Sequence, residues 1–175
     1  MRRLAAVGLV ALAAAFALTG SATATNANGN HDHYAFLAGV EPVEGPDMAV
    51  APNRSTVQLN GSGEFQAGPG KNASGGGSYV IKDASGSTVA SGSWTVTGLG
   101  GFVSYGEGIP QDAPGVFGGQ LQLRVNLAGA GDGLLTVTCL LGAPPGGADE
   151  GVTLILGDGW NFTHSTGGET AFVGL

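Results

Sequence analysis

The chain predicts an all-β fold, a single antiparallel meander barrel of about 8–9 short strands, with a two-sheet β-sandwich as the alternative. Three observations carry this reading. Apolar and polar residues alternate with a period of two, most cleanly where Leu121, Leu123, Val125 and Leu127 interleave with Gln120, Gln122, Arg124 and Asn126. Glycine makes up 34 of 175 residues and clusters between the alternating runs, where turns need it. Beyond the leader, no stretch keeps a helical period free of glycine and proline for long enough to fold as a helix. The chain is 42% hydrophobic and only 11% charged. It can therefore build a core, unlike a charge-rich disordered polymer.

Taken in order, residues 1–24 read as a secretory signal peptide. Arg2 and Arg3 give a positive start, Leu4 to Leu18 is apolar, and Ala22-Thr23-Ala24 puts small residues at the cleavage positions. The apolar run is shorter than the roughly 20 residues a bilayer span requires, so no membrane span is expected after cleavage. Residues 25–47 read as a flexible polar arm, with one short extended piece near Tyr34 to Val40. Residues 48–175 form the expected all-β domain.

Within it, Val57, Leu59, Gly61, Gly63 and Phe65 alternate with polar neighbours, and Ala67 to Ser74 reads as a loop. Tyr79 to Lys82 is extended, and Asp83-Ala84-Ser85-Gly86 is a turn. Thr88 to Thr97 and Leu99 to Tyr105 read as separate strands before a long loop from Gly106 to Gly118. The Gln120–Leu127 strand turns at Gly129–Gly133 into Leu134 to Leu141, and a second long loop covers 142–151. Val152 to Leu156 and Trp160 to His164 flank Gly157-Asp158-Gly159, a hairpin signal, and Thr170 to Val173 is the last strand. Glycines inside strands, such as Gly61, Gly63, Gly92 and Gly101, permit strong coiling and bulges, which favour closure.

Charge excludes two partner classes. Without the leader, Arg54, Lys71, Lys82 and Arg124 stand against thirteen carboxylates, a net charge of −9. Four dispersed cations cannot neutralise a phosphate backbone or hold an anionic membrane surface. No nucleic-acid partner is expected.

The residue patterns name no catalytic group and no cofactor. Cys139 is alone, so it has no internal disulfide partner, and its alternation with Leu135, Val137 and Leu141 reads as a buried thiol. His31 and His33 lie on one side of an extended chain, as metal ligands in a strand would. The residue four beyond the pair is Leu37 and not a carboxylate, so no metal site is assigned. His164 reads as a histidine at a barrel end. Asp149 and Glu150 are neighbours that point to opposite sides of an extended chain, a poor arrangement for a cooperating acid and base. Asp132 and Asp158 sit in glycine-rich turns, but neither loop has the EF-hand pattern. No serine is flanked as a nucleophile elbow, and Gly70-Lys71 is not a phosphate loop. Trp94 and Trp160 alternate with small or apolar neighbours and read as core, although an exposed aromatic would suit a sugar. Asn53, Asn60, Asn72 and Asn161 open glycosylation sequons, which matter only in a host able to use them.

The segments GSGEF, GGGSYVIKDASGSTVASGSW, GGQLQLRVNL, LLTVTCLLGAPPGGADEGV and NFTHSTGGETAFV run in this order between about Met48 and Val173. They resemble a group of uncharacterised secreted glycine-rich all-β proteins of GC-rich bacteria and some archaea. The resemblance implies a secreted all-β protein and carries no activity or site residue with it.

The expected role is therefore a secreted, soluble, non-enzymatic binding or cell-surface-associated protein. Its contact surface would be the barrel lumen or the 106–118 and 142–151 loops, and its ligand a glycan or small molecule. A small enzyme with a pocket at the barrel mouth and a structural extracellular component are the alternatives. Oligomeric state is left open.

Overall fold

The computed structural model describes residues 32–108 and 115–175, so the signal segment, His31 and the tip of the 106–118 loop lie outside the described residues. The described residues form one antiparallel sheet of eleven strands and contain no helix. In chain order these are β1 His33–Ala38, β2 Asp47–Val50, β3 Thr56–Gln66, β4 Asn72–Lys82, β5 Thr88–Glu107 and β6 Val116–Leu127. They are followed by β7 Gly131–Cys139, β8 Gly151–Leu156, β9 Asn161–Phe162, β10 His164–Gly167 and β11 Thr170–Gly174.

A meander of consecutive hairpins runs from β3 to β9. The two ends of the chain complete a ring. Strand β1 pairs with β3 on one side and β11 on the other, and β11 pairs with β6 through Phe172–Phe117 and Val173–Val116. The circuit β3–β4–β5–β6–β11–β1 thus returns to its start. Near the other end, β9 pairs with β8 and β10 pairs with β2, so the chain around Thr163 crosses from one flank of the ring to the other. Among the described residues no helix is long and apolar enough to cross a membrane.

The alternation seen in the sequence is the burial pattern of the strands. Leu121, Leu123, Val125 and Leu127 are buried, while Gln122, Arg124 and Asn126 are exposed. The buried residues share one core cluster with Phe36 from β1, Val57, Leu59 and Phe65 from β3, and Trp94 from the neighbouring β5. Burying each large apolar side chain contributes roughly 1.5–3 kcal/mol. Aromatic rings dominate the end near β11. Tyr34 stacks on Phe65 with centroids 5.2 Å apart, and Phe102 meets the edge of Phe172 at 5.3 Å. These side chains pack together as the buried core. Gly61 shows why a glycine sits inside a strand here: a Cβ would collide with the Trp94 indole, which instead lies over it and donates Nε1–H to Asn60 O at 2.9 Å.

Three expectations shift. The sheet begins before residue 48: β1 occupies a central position with Tyr34, Phe36 and Ala38 buried, and Asp47 opens β2, so residues 33–47 of the anticipated flexible arm are integral to the domain. Strand β5 is one strand of 20 residues where two were expected, because register shifts at Val96/Gly98, Leu99/Gly101 and Ser104/Gly106 bend it without ending it. Residues 72–74, read as the end of a loop, and 75–78, assigned to no element, pair along the whole upper half of β3.

Candidate functional site

The end of the ring where β1 runs into β2 carries the unusual chemistry. Strand β11 follows β6 for only two residue pairs, so the edge of Thr170 and Ala171 has no strand partner on that side. The facing chain is the exit of β7, Cys139 to Leu141. Glu150 spans the opening. Its Oε2 accepts from Leu140 N at 2.6 Å, and its Oε1 accepts from Thr170 N at 3.1 Å and lies 2.7 Å from Thr170 Oγ1. One carboxylate thus replaces a missing stretch of ladder. Thr170 Oγ1 is also 2.7 Å from Thr138 O. Its single proton serves one of these two acceptors at a time.

Beside this bridge lies a groove of about 490 Å³. Its walls are Leu37, Val43, Val116, Leu140, Leu141 and Val173, with Cys139 and Thr170 in its lining and Glu150 and Glu169 as its carboxylates. Both long stretches contribute to the lining, Val116 from 106–118 and Glu150 from 142–151. Among the described residues no Lys or Arg lines the groove.

Behind the groove sits Asp47, with no accessible surface and no hydrogen-bond partner for either carboxylate oxygen. Ser165 Oγ nearby is also buried and unpartnered. The carboxyl is encased because two distant glycines leave room for it. A Cβ on Gly168 would strike Asp47 Oδ1, and one on Gly151 would strike Ser165 Oγ and stand 3.5 Å from Asp47 Oδ1. Gly168 also has φ +96°, a conformation that favours glycine on its own account. Burial, and then the charges of Glu150 and Glu169, push the Asp47 carboxyl up to about 8. Glu169 clamps the preceding loop as well: its N donates to Glu44 O at 2.8 Å, and its carbonyl accepts from Gly39 N at 3.0 Å.

The residues weighed in the sequence fall in several places. Asp149 and Glu150 do point apart, Asp149 toward His164 Nδ1 at 3.9 Å and Glu150 into the bridge. His33 stands 3.2 Å from Glu64 with both side chains half exposed. Among the described residues no three His, Cys, Asp or Glu side chains are arranged to hold a metal. Cys139 is buried, and desolvation raises its thiol to about 11. Asp132 accepts from Asn126 Nδ2 at 2.7 Å, within the β6–β7 turn. Trp94 is core. Trp160 departs from expectation: it is only half-buried and lines a surface cleft. Asp47, Glu169 and Thr170 carried no sequence signal as site residues. Asp47 follows Pro46 and looks like a turn residue, and only the long-range approach of Gly151 and Gly168 buries it.

No family model, no curated protein and no solved structure matches the chain.

Proposed function

We propose that the chain is exported and acts as a non-enzymatic binding protein for a small amphiphile with an alkyl body and a cationic head. One observation carries this: an apolar groove of about 490 Å³ opens where the β6–β11 ladder stops, and among the described residues the charged ones lining it are carboxylates. Apolar walls with a few convergent polar groups are the usual make-up of a small-molecule site. The tail would lie against Leu37, Leu141 and Val173, and an ammonium head would sit at Glu169, which is exposed on the rim. The carboxylates select against an anionic head on the same tail by like-charge repulsion. Asp47 has no exposed surface and does not reach the ligand, so nothing here requires a chemical step.

The test compares three probes of equal chain length, octylammonium, octanol and octanoate, by thermal unfolding. Saturable stabilisation is expected from octylammonium, less from octanol, and none from octanoate. A ligand at about 100 times its dissociation constant adds roughly 2.7 kcal/mol, a few degrees in Tm. Leu141→Lys should abolish the octylammonium shift by placing a competing cation in the groove. Equal shifts from octanoate, or an undiminished shift in the Lys variant, would refute the reading.

A further inference from the structure

The opposite end of β8 holds a second cleft, of about 420 Å³, between the Ala51–Ser55 turn and the β8–β9 hairpin. We infer that this cleft is a saccharide site in which Trp160 is the platform for a hexopyranose ring. It is independent of the groove, since β2 and β8 each run from the acidic end to this one.

Both walls are held in place before any ligand arrives. Ala51 N donates to Ser55 O at 2.8 Å, Arg54 N to Ala51 O at 2.8 Å, and Ser55 N to Asn53 Oδ1 at 3.0 Å. On the other wall Leu156 N donates to Trp160 O at 2.8 Å. The Trp160 ring stacks on Phe162, a fully buried residue, with centroids 5.7 Å apart and planes 14° apart. The indole is therefore fixed as a platform, at little further entropic cost on binding.

The groups around it match the two faces of a sugar. The apolar C–H face of a pyranose packs on an aromatic ring, and its hydroxyls need donors and acceptors together. Asn53, Asn161 and Asp158 line the cleft with Trp160. Among the described residues Asn161 makes no side-chain hydrogen bond and Asn53 uses only its Oδ1, so both amide NH₂ groups can donate to a ligand. Asp158 Oδ1 has a single long contact, 3.4 Å from Trp160 N, and can accept from a hydroxyl. An uncharged, hydroxyl-rich ring suits this set. A nucleotide does not, because Asp158 would repel its phosphate and no Lys or Arg among the described residues lines the cleft.

The protein has two indoles, which makes the test direct. Trp94 Nε1 is committed to Asn60 O inside the core, so its NMR resonance serves as an internal control. Cellohexaose, chitohexaose and maltohexaose are titrated into ¹⁵N-labelled protein. At least one should shift the Trp160 indole resonance saturably and leave that of Trp94 in place. Trp160→Ala should weaken that binding at least tenfold, or about 1.4 kcal/mol, and Asn161→Ala by roughly threefold. Trp160→Phe keeps the stack on Phe162 and should bind with intermediate affinity, which guards against a variant that merely unfolds. No movement of the Trp160 indole with any of the three sugars up to about 10 mM, where even weak sites of millimolar dissociation constant fill, would overturn the proposal. Binding that survives Trp160→Ala would overturn it too.

Discussion

Replacing Asp47 by Asn should make the protein's stability less dependent on pH. Asp47 is fully buried, has no partner at either oxygen, and is pushed from 3.8 to about 8 by desolvation and then by Glu150 and Glu169. In the unfolded chain this carboxyl ionises near its ordinary value. In the folded chain it keeps its proton until about pH 8. Between those two values the folded state holds the extra proton, so stability falls as pH rises. The contribution is fully present below the unfolded value, declines through the window, and levels off above about 8. The slope is at most about 1.4 kcal/mol per pH unit, and the whole window is worth on the order of 6 kcal/mol. Asn has nearly the same shape and no charge to bury. Urea unfolding of wild type and Asp47→Asn at about pH 5, 6, 7 and 8 isolates the effect, because every other titrating group is common to both proteins. The variant should gain on the wild type by roughly 1 kcal/mol per pH unit over that range. A difference that stays constant from about pH 5 to about pH 8 would show that Asp47 ionises normally and that the desolvation argument fails.

Two further outcomes follow from the same end of the molecule. Glu150→Ala leaves Leu140 N and Thr170 N without their acceptor and should cost about 2–4 kcal/mol in urea unfolding. Glu150→Gln should recover little of that, since a carboxamide offers one oxygen where donors approach from two sides. The Cys139 thiol, buried and raised to about 11, should resist a disulfide reagent at neutral pH in the folded protein and react fully in denaturant. Rapid labelling of the native protein would show that the β7 exit opens readily.

The parts of the fold legible in the sequence are those built from local periodicity. The β6 alternation reads directly as buried and exposed faces, and the turns at Asp83–Gly86 and Gly157–Gly159 lie where glycine and Asp cluster. What escaped depends on partners far along the chain. Strand β1 was visible only as a short extended piece in a polar arm, because its central place depends on pairing with both β3 and β11, which buries Tyr34, Phe36 and Ala38. The 72–78 run has five serine or glycine positions in a row, Ser74 to Ser78, with little strand character of its own, and pairing with β3, joined from Gly76 onward by β5, holds it extended. Trp160 shares its alternation with Phe162, which is buried, so period two assigns both to the core. The sheet ends at the hairpin, and Trp160 is left at its rim. The candidate groove had no signal in the sequence beyond the two long loops that contribute residues to it. Its chemistry depends on where the β6–β11 ladder stops, which no local pattern encodes.

The glycine content has a second role beyond turns and coiling. At the acidic end, Gly39, Gly151 and Gly168 each approach Asp47 or its neighbour Ser165 too closely for a Cβ, and they belong to three separate segments. Any one of them as alanine would push those segments apart. Their convergence brings Asp47, Glu150 and Glu169 within electrostatic reach of one another with no cation among the groove residues. Such a cluster is unfavourable for folding on Coulombic grounds, and Asp47 relieves it by staying protonated. A cation at the groove mouth would relieve it in a second way, by favouring the ionised form of Asp47. The two routes compete for the same negative potential. The groove should therefore bind a cationic head more strongly as the proton on Asp47 is lost, and the acid with no surface of its own becomes part of the recognition.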